Sequence, residues 1–540
     1  MSIFSANRAA LAGRNGDLAA ALDSASPGGE LLVEDARSGE PSARLRMNGA
    51  PGPYLHSRVD PRTEADRAAA AVSAAAGYVV VWGPGLFYTV EVLLGRPELA
   101  YLLVIEPRPA FLRAALESRD LRFPLSDPRL DIRTGPRAGA DSAARTVSET
   151  YLPVIHGAFH LEGARPRAEE SRETLAAVGA AARGQLADAA VQQSFGRRWF
   201  SNAVRNLATL PPATVDFPVA DTMIVAAAGP SLEEQIADLD SRIPVISTDT
   251  AAPALLQRGV RPASVVSLDC QQVTYHHMLS GGAALRRVPL MADLSTPPTV
   301  LHHAARPVLA TTAYPLARLL RRRFSELPTI DGAGGNVTQA AVSAAVSLGA
   351  RRIHLLGADL AYPDGAPYAR DSYLYPHFRG TETRLHPTQS ALMELVLADP
   401  QTTSAEEAGR RVYRTPRLSR YRENLERQIS TLDAEVIFGP PAAGATDTGV
   451  RRFAVPSISS RIEWLNEYGE EVSALSVPDG AAARLLGEAE SDDRELWYSI
   501  LPAAAAFMEG ELDVRRTPEV LAEALRWSAE RLSRVLTRKD

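Results

Sequence analysis

The sequence predicts a multidomain α/β protein built on parallel sheets, and three patterns carry that prediction. Short apolar runs of strand length recur at 78–82, 101–105 and 130–133, then at 223–228, 244–248, 264–268, 288–292, 307–310 and 352–356. Helical stretches separate them, and alternation of this kind gives parallel sheets with right-handed crossovers. The runs also end in glycine or acid: Gly83-Pro84-Gly85, Glu106, Gly229-Pro230-Ser231, Asp249, Asp269, Asp293 and Gly357-Ala358-Asp359. Ligands of open α/β sheets gather at the carboxyl ends of strands, so these exits are where chemistry is sought.

The bulk properties narrow the function. A chain of 540 residues has length for two to four domains with real cores. Its net charge of -6 argues against broad nucleic-acid binding. Lys539 is the only lysine, which excludes a P-loop lysine or a Schiff-base lysine within the fold. Cys270 is the only cysteine, so there is no disulfide framework and no thiolate zinc site. The N-terminus lacks the layout of a signal peptide. The longest apolar stretch, 77–94, is broken by Gly83, Pro84, Gly85 and Glu91, so no membrane span is expected and the chain reads as cytoplasmic.

Taken in order, residues 1–165 read as a Rossmann-like α/β domain. Its lead-in holds short strands and a helix, with turn-rich patches at Ser26-Pro27-Gly28-Gly29 and Gly49-Ala50-Pro51-Gly52-Pro53. The glycine turn after the first strand and Glu106 after the second copy a dinucleotide or S-adenosylmethionine site, where the acid takes ribose hydroxyls. The turn lacks a third glycine and Pro84 removes a backbone donor, which favours a purely structural unit. Residues 166–210 carry few helix breakers and read as a helical linker. A central α/β domain spans 211–400. Residues 401–540 read as mostly helical, with a β-like patch at 435–438 and 451–455.

In the central domain the first strand exits into Gly229-Pro230-Ser231, where the glycine permits close approach and Ser231 can cap the next helix. A helix start there would offer N–H groups to an anion. Acidic exits at Asp249, Asp269, Asp293 and Asp359 fit a ligand crevice, although any single one also fits a helix cap. Asp249, Asp269 and Asp359 are the residues that would hold magnesium if a metal were used. A small-residue loop, Gly334-Gly335-Asn336, opens an alanine-rich helix. Tyr362 and Tyr368 flank the turn Pro363-Asp364-Gly365.

Two stretches, 224–232 and 331–368, together resemble the central domain of the motility-associated factor family. These are flagellin glycosyltransferases whose central domain is MptE-like and similar to bacterial sialyltransferases. The resemblance rests on a strand leading into Gly-Pro-Ser-Leu, then an alanine-rich helix, a strand ending Gly-x-Asp, and an aromatic residue soon after. It covers most of 75–450. It implies that Gly229, Pro230 and Ser231 line the nucleotide of a CMP-activated nonulosonic acid, with Asp249 also on the nucleotide. Gly334, Gly335 and Asn336 would form the loop beneath the donor, and Asp269 and Asp359 join the donor site by their strand-end positions. Tyr362 and Tyr368 would stabilise the departing CMP phosphate, and turn packing is their alternative role. His386 would be the base, with His377 as the alternative.

Three departures stand out. Ala228 replaces an expected asparagine, Asp249 replaces another, and the histidine has no secure counterpart. The expected reaction is transfer of a pseudaminic or legionaminic type sugar from CMP to Ser or Thr of flagellin or a flagellar filament protein. No cofactor is required, and magnesium is left open. The alternatives are an archaeal-type 6-hydroxymethylpterin diphosphokinase using ATP and magnesium, and an inactive flagellar assembly module.

Overall fold

The computed structural model describes residues 2–537, except 26–28, 48, 238, 240–241, 333–334, 443–445, 478–490, 509 and 511. Ser26, Pro27 and Gly28 of the first turn-rich patch, Gly334 of the small-residue loop, and Lys539 lie outside the described residues. The chain divides into two compact units, residues 1–196 with 474–527 and residues 197–473 with 528–540.

In the first unit Tyr78–Trp82 (β1), Tyr101–Glu106 (β2), Leu130–Thr134 (β3) and Phe159–Gly163 (β4) form a parallel sheet in the order β3-β2-β1-β4. β1 is buried along its whole length, as a strand covered on both faces must be. Val79 and Val81 join one apolar core with Phe111, Leu112 and Leu116, whereas Tyr78, Val80 and Trp82 join another with Val147 and Tyr151. The two-residue period of the strand thus sets helix Pro109–Ser118 on one face and helix Ala140–Thr150 on the other. The lead-in supplies helices Ile3–Ala12 and Gly16–Ser24 and an antiparallel sheet of Leu31–Asp35, Pro41–Met47 and Ala50–Tyr54. Residues from the far end of the chain complete this unit. Thr517 Oγ1 donates to the Ile155 carbonyl at 3.0 Å, and the Val514 N–H to that of Ala75 at 3.2 Å.

Helix Ala168–Thr209 has 42 residues, a length of about 63 Å, and its last turns belong to the second unit. There Asn202 and Asn206, one turn apart, donate to carbonyls beyond two strands of the central sheet. Asn202 Nδ2 reaches Cys270 and Ser295 (3.2 and 2.8 Å), and Asn206 Nδ2 reaches Leu294 and Thr296 (2.9 and 2.8 Å).

The central sheet consists of Thr222–Ala226 (β5), Val245–Thr248 (β6), Ser264–Ser267 (β7), Leu290–Asp293 (β8), Pro307–Ala310 (β9), Arg352–Leu356 (β10) and Glu435–Phe438 (β11). Its order is β9-β8-β7-β6-β5-β10-β11 with every pair parallel. The chain steps outward from β5 to β9 and then returns to lay β10 on the far side of β5. That reversal is a topological switch point, and the crevice it opens lies at the carboxyl ends of β5 and β10. Helix Val337–Ser347 packs on β5, β6 and β7. It buries Ala340, Ala341, Ala344 and Ala345, small residues that let a helix sit close to a sheet. Among the described residues no helix is long and apolar enough to cross a membrane.

Candidate functional site

At the switch point the loops after β5 and β10 interlock. The Ala227 N–H donates to the Leu356 carbonyl and the Gly229 N–H to that of Gly357, each at 2.8 Å. A Cβ on Gly229 would collide with the Asp359 carboxylate and the Gly357 carbonyl oxygen. Gly357 has a positive φ of 63°, and a Cβ there would run into the Ala227 carbonyl. Only glycine fits either position. Asp359 Oδ2 accepts from the Ser231 N–H at 3.1 Å and from Ser231 Oγ at 2.9 Å. Burial pushes the Asp359 carboxyl up from its ordinary range, and the Ser231 bonds partly oppose it.

The structure thereby corrects two readings of this turn. The helix after it, Leu232–Gln235, is one turn long, and Ser231 bonds Asp359 instead of capping it. Its leading donors are engaged: the Leu232 N–H with the Gly229 carbonyl, the Glu233 N–H with that of Pro230 and the Ser231 N–H with Asp359. No anion cradle is left at that helix start.

The exits of β6 and β7 form the next part. Asp249, only 3% exposed, accepts from the Thr250 N–H (2.7 Å), Thr250 Oγ1 (3.0 Å) and Ser267 Oγ (2.7 Å). Burial raises its carboxyl pKa and the neighbouring His277 lowers it, while burial depresses the His277 imidazole and Asp249 opposes that. His277 Nδ1 is buried with no hydrogen-bond partner. It belongs to helix Val273–Ser280, which follows β7 directly. The ring of Tyr373 stacks on His276 (5.2 Å), meets His277 edge-on (5.5 Å) and carries its hydroxyl 3.1 Å from His377 Nδ1. His276 and His277 escaped the sequence reading. Their adjacency just past the acidic exit at Asp269 was the available signal. Asp269 itself is exposed and accepts from the Gln271 N–H at 2.9 Å, a turn-capping role.

Tyr362 is buried and pairs across an antiparallel register with Tyr413. Leu360 and Asp364, either side of it, hold positive φ values of 47° and 51°. Such conformations persist only where the surroundings dictate them. Tyr368 is 37% exposed. Burial and the neighbouring Tyr362 raise its pKa, Arg417 lowers it, and Asp249 and Tyr421 lie within electrostatic range. Arg417 and Tyr421 sit one turn apart on helix Pro416–Thr431. A Cβ on Gly335 would lie 3.3 Å from the Tyr421 ring. Asn336 caps its helix, accepting from the Gln339 N–H at 3.1 Å.

The switch-point region thus gathers Tyr362, Tyr368, Asp249, His277 and Arg417. His386 stands apart from them in its described contacts. It lies in an exposed turn, its N–H on Thr383 Oγ1 and its Nε2 3.1 Å from both Glu394 oxygens. Asp249, Asp269 and Asp359 are engaged by separate partners, and among the described residues no three His, Cys, Asp or Glu side chains gather to hold a metal ion. Cys270 is buried, its thiol pushed up to about 12 by burial and Asp269, which keeps it protonated.

The cofactor-like layout of the first unit is filled by the chain itself. His56 Nε2 accepts from the Leu86 N–H at 2.7 Å and occupies the space a Cβ on Gly85 would need. Burial pushes the imidazole down to about 4, so it is the neutral acceptor. Glu106 is buried against Arg167, with both oxygens paired at 2.7 and 3.0 Å. The acid expected to take ribose hydroxyls is a partner of a guanidinium instead.

Residues 197–365 match the family described as 6-hydroxymethylpterin diphosphokinase MptE-like. Two uncharacterized proteins of Treponema pallidum (strain Nichols) are similar. One is 31% identical over 25% of this chain and 69% of its own length. The other is 35% identical over 19% of this chain and 37% of its own. The MAf glycosyltransferase from Magnetospirillum magneticum AMB-1 superposes with a TM-score of 0.61 at 15% identity, covering 99% of this chain and 95% of that one. At that identity the likeness establishes the fold.

Proposed function

We propose that this chain, which belongs to the same family as the 31% identical Treponema pallidum protein and has the fold of a MAf glycosyltransferase around an MptE-like domain, is itself a glycosyltransferase. Both likenesses agree with the resemblance to motility-associated factors. The finer proposal is transfer of a nonulosonic acid of pseudaminic or legionaminic type from CMP to Ser or Thr of flagellin, in the cytoplasm. The acceptor oxygen would attack the anomeric carbon as the bond to the CMP phosphate breaks, and CMP would leave with the bonding pair. One observation carries this reading: Tyr362, Arg417 and Asp249 lie within electrostatic range of Tyr368, and the Ala369 N–H next to it donates to the Ala228 carbonyl at 2.8 Å, just before the Gly229-Pro230-Ser231 turn. Phenol hydroxyls and a guanidinium there would stabilise charge developing on the phosphate, and this chemistry asks for no metal.

His386, or His277 within electrostatic range of Asp249, would take the acceptor proton. The base must reach the acceptor hydroxyl, so the two variants His386→Asn and His277→Asn decide between them by which abolishes transfer. Tyr368→Phe is expected to lower kcat about 100-fold while CMP binding stays within a few-fold. Loss of binding without loss of kcat would sink the leaving-group role. The family description itself favours a second reading, diphosphate transfer from ATP with magnesium. Thermal shifts with CMP, CTP, ATP and ATP plus magnesium separate them: stabilisation by ATP only with magnesium overturns the glycosyltransferase. No shift with any nucleotide favours an assembly module.

A further inference from the structure

Four strands of the central sheet are entered through an arginine and a proline: Arg242-Ile243-Pro244 into β6, Arg261-Pro262 into β7, Arg287-Val288-Pro289 into β8 and Arg306-Pro307 into β9. Proline keeps the preceding residue in extended backbone, and neighbouring strands lie about 4.8 Å apart. The lead-ins therefore rank side by side along the amino edge of the sheet, away from the tyrosine crevice at its carboxyl edge. Arg261, Arg287 and Arg306 line a single groove of about 370 Å³, with Pro218, Pro262 and Pro289 among its rigid walls.

Other arginines of this edge are neutralised. At the entry to β10, Arg351 lies 3.8 Å from Asp221 and Arg352 lies 3.0 Å from Glu435. The carboxylate in the groove, Asp216, is taken by Arg452 at 2.7 Å, with Arg306 only in electrostatic range. Among the described residues the guanidinia of Arg261, Arg287 and Arg306 have neither an ion pair nor a hydrogen bond, and all three residues are exposed. Three adjacent cations repel one another unless an anion sits among them. The chain carries a net charge of -6, so a generally basic surface does not account for them.

We infer that this groove is a binding site for a diphosphate group. Guanidinium forks match phosphate oxygens two at a time, and three of them balance the charge of a diphosphate. The volume falls in the range of small-ligand sites. The group could come from free pyrophosphate or from a nucleoside diphosphate, and the proline walls leave room for either.

Titration calorimetry of the full chain with inorganic pyrophosphate, and separately with ADP, tests the site. One site per chain is expected for at least one of the two, and tighter ADP would identify the nucleotide as the source. Arg287→Gln and Arg306→Gln should each weaken binding about tenfold. Arg287→Lys, which keeps the charge and loses the fork, should weaken it too, and unchanged circular dichroism melts show that the variants fold. Arg318→Gln, at an exposed arginine elsewhere, should leave binding as it was. No binding of either ligand overturns the inference. So does binding that survives the combined Arg261→Gln, Arg287→Gln and Arg306→Gln variant, or that weakens equally in Arg318→Gln.

Discussion

His56 illustrates how one side chain decides the character of a whole motif. Gly83 and Gly85 carry the positive φ values of a phosphate-cradling turn, 70° and 58°, yet the Leu86 N–H beside them is already bound to His56. The imidazole is held near 4 against an ordinary value of 6.5 because it is buried, and the charge of Arg119 adds to that. Unfolded chains therefore take up this proton first as pH falls. The stability linked to His56 is complete above about 6.5 and is lost as pH falls toward about 4, by at most about 3 kcal/mol. His56→Gln should flatten the fall in unfolding free energy across that window relative to the parent chain, measured by urea titration at several pH values. A slope unchanged by the substitution would show that His56 takes up its proton over the same pH range in the folded and unfolded chains. At the other motif, Ser231→Ala removes one of the two donors on half-buried Asp359. It should cost about 1–3 kcal/mol, read from the same urea titrations.

At the scale of elements, two strand exits are fitted to each other and not to a ligand alone. β5 and β10 lie side by side, and their loops cross so closely that the Asp359 carboxylate and the Gly357 carbonyl oxygen both occupy the space a Cβ on Gly229 would need. Gly229→Ala must push both of them away. We expect a loss of about 1–3 kcal/mol by thermal or urea unfolding, with a CMP affinity reduced in step if the crevice is the donor site. A full-stability Ala variant would show that the loops can separate freely. The tyrosine segment is fixed in a comparable way: Tyr362 pairs with Tyr413, and Asp364 accepts from Arg410 Nε and the Arg411 N–H at 3.0 and 3.2 Å. A short antiparallel sheet, Thr403–Glu407 with Arg410–Arg414, thereby positions residues 46 to 51 places earlier in the chain.

Across the whole molecule, sequence neighbours and structural neighbours part company. The first compact unit is discontinuous, closing only when residues 474–527 return to it. Thr517 bonds the Val154 and Ile155 carbonyls, and the space a Cβ on Gly77 would need is filled by Val514. Deleting residues 474–540 should therefore expose the apolar face beside β1 and lower the melting temperature of the N-terminal unit. Limited proteolysis of the truncated chain should cut within residues 60–165, which stay protected in the full chain. Equal protection in both would show that the N-terminal unit closes without the returning segment.

The sequence by itself determined the parallel sheets, the long helix and the strand exits, because apolar runs, helical periodicity and glycine or acid at strand ends are local signals. It also pointed to Gly229-Pro230-Ser231, Asp359 and the two tyrosines as residues of one region, by their order along the chain. Tertiary structure alone decided their partners. That Ser231 binds Asp359, that Glu106 belongs to Arg167 and the Gly85 turn to His56, follows from contacts between residues 29 to 128 positions apart, which no local pattern encodes. The same holds for His277 beside Asp249 and Arg417 beside Tyr368. Strand order brought them to one edge of the sheet, and only the crossing from β9 back to β10 sets where that order reverses.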